Sequence, residues 1–260
     1  MVWNRRGLRA MQLFGIHTRL IKPKDDLVGI LLDVISKQKL TIDDGDLLML
    51  ASKAISIVQG RLMKLDTIIP SEEAKALAEK YDLDPRFVDV VLMEARKVYG
   101  GVSGALLTVK SGALIPNAGV DQKNAPKGFV VLWPDAPHEA AENIRGEIFE
   151  RVGKNVGVLI VDSHISPLRM GTTGLAVGIA GFNPIRDCRA ERDLYGNKLF
   201  LTRHALADDL AGATHLLMGE ANGSVPAVLV KGAPISLSEE LDPYSVLIAE
   251  KNCLFMNCFV

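Results

Sequence analysis

Three well-separated acids, Asp121, Asp162 and Glu220, carry most of the chemistry this sequence could perform. Asp162 follows an apolar run over 156–161, broken only by Gly157, of the length expected for a strand buried on both faces of an α/β sheet. The run ends at Asp162-Ser163, and a small-residue loop follows with Pro167, Arg169, Gly171, Thr172, Thr173 and Gly174. A carboxylate at the carboxyl end of a buried strand, opposite a Gly/Thr loop, stands where open α/β sheets keep ligands. Equally, Asp162 could do no more than cap the next turn. Asp121 lies in the Asn/Asp/Gly-rich stretch 116–124. With Asn124 it could offer oxygens to a hard cation or a nucleotide, or the stretch could be a plain turn between strands. Glu220 lies in a Gly/Asn/Ser loop between a helix and a strand. Hard carboxylate oxygens with no Cys/His set suit Mg2+ or Mn2+. A metal beside polar, Gly-rich loops points to a nucleotide phosphate substrate. His204 and His215 lack H-E-x-x-H spacing and read as helix surface, and His17 reads as polar surface, so zinc is not expected.

A second phosphate candidate begins at the buried strand 47–51, which runs straight into Ser52-Lys53, then Ser56, Gln59, Gly60 and Arg61. Hydroxyls, cations and a glycine after a strand can hold phosphate, although G-x-x-x-x-G-K-[ST] is absent. The elements that would position these groups read clearly in places. Asp25-Asp26 open a helix over 27–37 with one apolar face. Ser71 caps a helix with Glu72 and Glu73 in its first turn. Asp84-Pro85 start another, with Phe87, Val88, Val91, Leu92 and Ala95 on one face. Strands are expected over 105–109, 129–133 and 226–230, and helices over 136–152 and, capped by Thr202, from 203 to 218 with Asp208 and Asp209 on its polar side. The tail 239–260 has no clear pattern. The fold class is α/β with α+β elements: a mixed sheet with packed helices.

Composition bounds the rest. With 48% hydrophobic and 23% charged residues, 260 residues can build a sizeable core. A net charge of −1 argues against nucleic-acid binding as the main role. Three cysteines without a C-x-x-C pair suit a reducing compartment, with Cys253 and Cys258 as small buried hydrophobes. No window of about 18 apolar residues exists, so no membrane span is expected. The basic N-terminus lacks a signal-peptide h-region, and a cytoplasmic location is expected.

The segments GDLLMLASKAISIVQGR, NAGVDQKN, VGVLIVDS with RMG and AVGIAG, DLYGNKL, and ADDLAGATHLLMGEANGSVPAVLVKG are colinear from about 15 to 232. In that order they resemble the coenzyme F420-0:L-glutamate ligase family, with NAGVDQKN and LLMGE…PAVLVKG the most specific pieces. The resemblance implies a ligase that uses GTP and Mg2+ or Mn2+, with K+ a further candidate. Such an enzyme adds γ-linked L-glutamate to coenzyme F420-0, or a related carboxylate, through an acyl phosphate. It also implies a homodimer of two-lobed subunits: an extension over 1–10, then one ligase unit over 11–260 that could divide into two intertwined lobes. Metal ligands would fall on Asp121, Asp162, Ser163 and Glu220. Nucleotide contacts would fall on Thr18, Arg19, Leu20, Ile21, Ser52, Lys53 and Asn124, and on Met218, Gly219, Glu220, Ala221, Asn222, Gly223, Ser224 and Val225. Lys53 and Arg169 would be the cations at the transferring phosphoryl group; otherwise they are ordinary surface cations.

The sequence departs from the family pattern at three places. Ile57 stands where a Lys is usual, Ser163-His164-Ile165-Ser166 stand where T-x-G-R is usual, and Ala190 stands where a Gly is usual. The lost Arg predicts weaker binding of an anionic acceptor. Two rival readings therefore stay open: a paralogous nucleotide-dependent ligase acting on another carboxylate, and a non-catalytic nucleotide- or flavin-binding relative. The intact Asp121, Asp162 and Glu220 set speaks against the second.

Overall fold

The computed structural model describes residues 10–258; the extension expected over 1–10 lies outside them except for Ala10. In chain order the strands and helices are β1 (Gln12–Ile16), α1 (Leu27–Lys37), β2 (Leu47–Ala51), α2 (Ser52–Val58), β3 (Leu62–Lys64), α3 (Glu72–Tyr81) and α4 (Pro85–Glu94). Then come β4 (Lys97–Val102), β5 (Ala105–Lys110), β6 (Ala113–Pro116), β7 (Phe129–Val131) and α5 (Pro137–Val152). The last are β8 (Gly157–Ile165), β9 (Thr172–Ala180), β10 (Ile185–Asp187), β11 (Arg203–Ala205), α6 (Leu206–Met218), β12 (Ala227–Lys231) and α7 (Leu254–Asn257).

Capping and apolar spacing account for the first helices. Asp26 accepts from the Gly29 N–H, and Leu27, Val28, Leu31 and Ile35 form the buried face of α1. Ser71 accepts from the Ala74 N–H to start α3, and its own N–H and hydroxyl both donate to Asp89 Oδ1 of α4. Ser71→Ala would cost roughly 1 kcal/mol for the lost cap alone.

The main sheet has the order β1-β12-β2-β8-β9, with β2 and β8 parallel and the other pairs antiparallel. Helices cover both faces, so β2 is apolar at every position. Its side chains alternate: Leu48 and Leu50 join Leu31, Ile55 and Ile148 beneath α1, α2 and α5, whereas Leu47 and Met49 join Leu210 of α6 on the other side. A third cluster holds Phe87, Val88, Val91, Leu106 and Val130, gathering α3, α4, β5 and β7. The β4-β5-β6 sheet stands beside it.

β9 is closely packed at two glycines. A methyl group on Gly174 would overlap the Ala211 carbonyl oxygen of α6, and one on Gly178 would overlap the Pro137 carbonyl oxygen of α5. A shift in register between Ile160 and Val161 lies between these two glycines, so they face opposite helices.

Several expectations are corrected. β8 does not end at Val161. Asp162, Ser163, His164 and Ile165 pair with Leu175, Gly174, Thr173 and Thr172, so the loop expected from Asp162-Ser163 through Gly174 shrinks to a hairpin turn over 166–171. Thr202 does not cap α6: β11 intervenes, Ala205 is the cap position, and no side chain caps it. Asp208 is not on a polar face but accepts from the Ala176 N–H of β9. His204 belongs to β11 rather than a helix. Cys253 is half-buried and Cys258 exposed; only Cys188 is buried. The tail meets the body at two of its acids: Glu239 pairs with Arg145, and Glu250 accepts from Tyr99.

Candidate active site

Strand direction brings the functional side chains together. β2 and β8 run parallel in register, with Ala51 beside Val161, so Ser52, where the chain leaves β2, stands beside Asp162, which is still paired with β9. β12 runs the other way, and the loop that feeds it, 219–226, arrives at the same end. The segment leaving β1 arrives there too, tied down by the Thr18 N–H to the Ser224 carbonyl at 3.1 Å. Between them opens a cleft of about 650 Å3. Its walls include Thr18, Arg19, Leu20, Ile21, Ser52, Lys53, Asn124, Asp162, Ser163, Met218, Gly219, Glu220, Ala221, Asn222, Ser224 and Val225. Of the expected nucleotide segment only Gly223 is not in the wall.

Lys53 is the central cation. Its Nζ donates to Asp121 Oδ2 at 2.6 Å and to the Lys123 carbonyl at 3.0 Å. Asp121 is fixed behind it by paired backbone bonds to Val131 and by the Lys123 N–H on Oδ1 at 2.7 Å. Asp162 has no such lysine contact. Burial pushes its carboxyl pKa up, and Asp121 adds to the rise; the Ser163 N–H, the Ser52 hydroxyl and the Lys53 charge oppose it. The Ser163 bond is 2.8 Å.

Glu220 sits across the cleft and accepts from the Thr172 hydroxyl at 2.6 Å. His215 Nε2 lies 2.8 Å from the same carboxylate, with only 13% of the His215 side chain exposed. His215 is therefore a site residue and not helix surface. The five-residue spacing from His215 to Glu220 around a helix end was the available signal; Thr172 stood out only as part of the Gly/Thr loop, with nothing to link it to Glu220. Asn124 Nδ2 donates to the Ala221 carbonyl at 3.2 Å, joining two of the expected nucleotide segments.

Arg169 does not reach the cleft wall; it lies exposed in the hairpin turn, its N–H donating to Ser166. Arg19 faces the cleft but also pairs with Asp25 at 2.6 Å. Ile57 lines the cleft as an apolar side chain. His164 is outside the cleft wall: burial lowers its pKa against the charge of Asp208, itself pushed up by burial, and its Nδ1 has no hydrogen-bond partner among the described residues.

Among the described residues, no three His, Cys, Asp or Glu side chains gather as a ready metal cluster. The four expected ligands are instead held separately: Asp121 by Lys53, Asp162 and Ser163 by one another and Ser52, and Glu220 by Thr172 and His215. The donors are nevertheless hard oxygens. Asp121 and Asp162 repel across a site with one direct ammonium contact, a charge imbalance that a divalent cation would relieve. The site thus offers an anionic pair, a lysine, hydroxyls and loop N–H groups around a space large enough for a nucleotide.

A family model described as F420-0:Gamma-glutamyl ligase matches residues 15–232. The chain is 40% identical to the Coenzyme F420:L-glutamate ligase of Methanopyrus kandleri, over 82% of this chain and 83% of that protein. It is 41% identical to the protein of that name from Methanocaldococcus jannaschii, over 87% of this chain and 90% of that one. With the Archaeoglobus fulgidus protein of the same name it shares 36% identity, over 84% and 85%.

Proposed function

The chain belongs to the F420-0:Gamma-glutamyl ligase family, and we propose that it joins L-glutamate in γ-linkage to coenzyme F420-0, or a related carboxylate, at the expense of GTP. What carries this function is the meeting of Asp162, Lys53 and Glu220 at one cleft of about 650 Å3, at the carboxyl end of β2 and alongside the later half of β8.

The reaction needs two displacements. An acceptor carboxylate oxygen attacks the γ-phosphorus, and GDP leaves. The glutamate amine then attacks the acyl carbon of the resulting acyl phosphate; phosphate leaves and the amine gives up its proton. There is little covalent work for the protein, so positioning and charge stabilisation dominate. Lys53 supplies a fixed positive charge on the cleft wall. The segments 18–21 and 218–225 hold the nucleotide through loop N–H groups and side chains. Ser52 and Ser163 hold the Asp162 carboxylate. Asp162, Ser163 and Glu220, with Asp121 behind Lys53, would hold Mg2+ or Mn2+. When bound, that ion would supply Lewis-acid charge to the phosphate oxygens.

The subunit pairs with a second copy in this proposal. Leu168 and Met170 in the β8–β9 hairpin turn and Leu194, Tyr195, Phe200 and Leu201 in the loop between β10 and β11 are large apolar side chains left exposed, which a partner surface would cover. A monomer by light scattering at micromolar concentration would refute it.

The decisive experiment is mass spectrometry after incubation with GTP, L-glutamate, Mn2+ and coenzyme F420-0. A product heavier by one or more glutamyl residues, with matching release of GDP, is expected. A second reading, the same chemistry on another carboxylate, is favoured by Ile57 in the cleft wall and by Arg169 lying away from it. A panel of other carboxylates separates the two. No glutamylated product with any acceptor would overturn both.

A further inference from the structure

Glu220 is held by only one of its two oxygens. Oε1 accepts from the Thr172 hydroxyl at 2.6 Å and sits 2.8 Å from His215 Nε2. Oε2 has no hydrogen-bond partner among the described residues. The two donors come from different directions: Thr172 opens β9 just after the hairpin turn, and His215 lies in the last turn of α6. Gly219, at φ 68°, ends the helix in a conformation open to glycine, and this lets Glu220 fold back onto His215. His215 is mostly shielded from solvent, and it needs its proton on Nε2 to donate, a state that neutral imidazole supplies.

Each carboxylate oxygen accepts about two hydrogen bonds, so two donors on one oxygen fill it. A carboxylate tied twice through a single oxygen presents the other in a fixed direction. Groups that orient a cation's ligand in this way typically change metal affinity by about 10–100-fold when removed. We propose that Thr172 and His215 are positioning residues: by occupying Oε1 they leave Oε2 as the atom that Glu220 offers to a hard divalent cation on the nucleotide phosphates. This rests on the reading of Glu220 as a metal ligand given above.

The test is a titration of the protein with Mn2+ in the presence of a non-hydrolysable GTP analogue. Free Mn2+ is followed by electron paramagnetic resonance, so no turnover is needed. His215→Ala and Thr172→Val should each raise the Mn2+ dissociation constant by about tenfold. The double variant should fall short of the product of the two, because both act on one oxygen. His215→Gln keeps a donor at similar reach and should recover most of the loss, which a merely structural histidine would not show. Thr172 is exposed, so Thr172→Val tests the same oxygen without disturbing α6. Glu220→Gln is the control. If it weakens Mn2+ binding while His215→Ala and Thr172→Val do not, the positioning role is overturned and the metal reading stands. If Glu220→Gln itself leaves Mn2+ affinity unchanged, the metal reading fails and takes the positioning role with it.

Discussion

Two Asp–Lys–Asp groups stand at opposite ends of β2, and only one lines the cleft. At the start of the strand, Lys231 donates to Asp43 at 2.7 Å and to Asp46 at 2.6 Å, and Asp46 also accepts the Asp43 N–H at 2.8 Å. Burial alone would lower the Lys231 pKa, but the two carboxylates more than offset this and raise it. Lys231 in turn holds the Asp43 carboxyl below the usual range. At the end of the strand, Lys53 contacts one carboxylate, Asp121, and acts on the half-buried Asp162 carboxyl only as a more distant charge, beside its hydrogen bonds. The residue types are identical. One lysine serving both acids makes a closed tie between strands, whereas one lysine serving a single acid leaves charge uncompensated at a cavity wall.

The largest effect should come from Asp162→Asn, which removes the charge and keeps the shape. We expect kcat to fall by about 10²–10³-fold or more, read by steady-state GDP release. Its Tm at pH 7 should equal or exceed the parent's. Burial raises the Asp162 pKa, so this group costs stability as pH rises from the ordinary carboxylate value of about 4 through its raised folded value. The Tm advantage of Asp162→Asn should therefore grow over that pH rise and vanish below it. An Asp162→Asn protein with full activity would erase the distinction between the two groups.

Lys53→Gln should come next, lowering kcat by about 10²-fold with the fold intact. Asp46→Asn should do the reverse: a loss of about 1–3 kcal/mol by urea unfolding, because a nearly buried carboxylate leaves Lys231 with one partner, and no change in kcat. A drop in kcat for Asp46→Asn would break the comparison. The smallest effect belongs to Asp43→Asn, since 61% of that side chain is in solvent. The Asp43 pKa is depressed by Lys231, so its stabilisation is present above about pH 4 and is lost as pH falls through the folded value. Parent and Asp43→Asn should differ slightly in Tm at pH 7 and converge in acid.

Some of this was readable from the residues and some was not. α1 and α4 announce themselves because each carries a cap and a one-sided apolar face, both local properties. β2 is legible as an unbroken apolar run. The end of β8 is hidden because Asp162, Ser163 and His164 look like loop residues; β9 pairs with them all the same, and that pairing is a matter of tertiary contact. Thr202 has the chemistry of a cap but is followed by β11, which pairs with β10 and starts α6 three residues later. In the site, the three acids stand out by type and by their loops. The bond from Lys53 to Asp121 spans 68 residues and that from Thr172 to Glu220 spans 48, distances at which spacing carries no signal. His215 was misassigned for a related reason: surface histidines on helices are common, and only the turn at Gly219 reveals its partner.

The two glycines of β9 bear on how the molecule answers to compression. At Gly174 and Gly178 hydrogen atoms stand where side chains would otherwise hold sheet and helix apart, so the backbones of α6 and α5 rest directly on the strand. Hydrostatic pressure unfolds proteins chiefly by collapsing internal voids. Little void is left along this line of contact. Under pressure the contacts of Gly174 with Ala211 and of Gly178 with Pro137 should be among the last to yield.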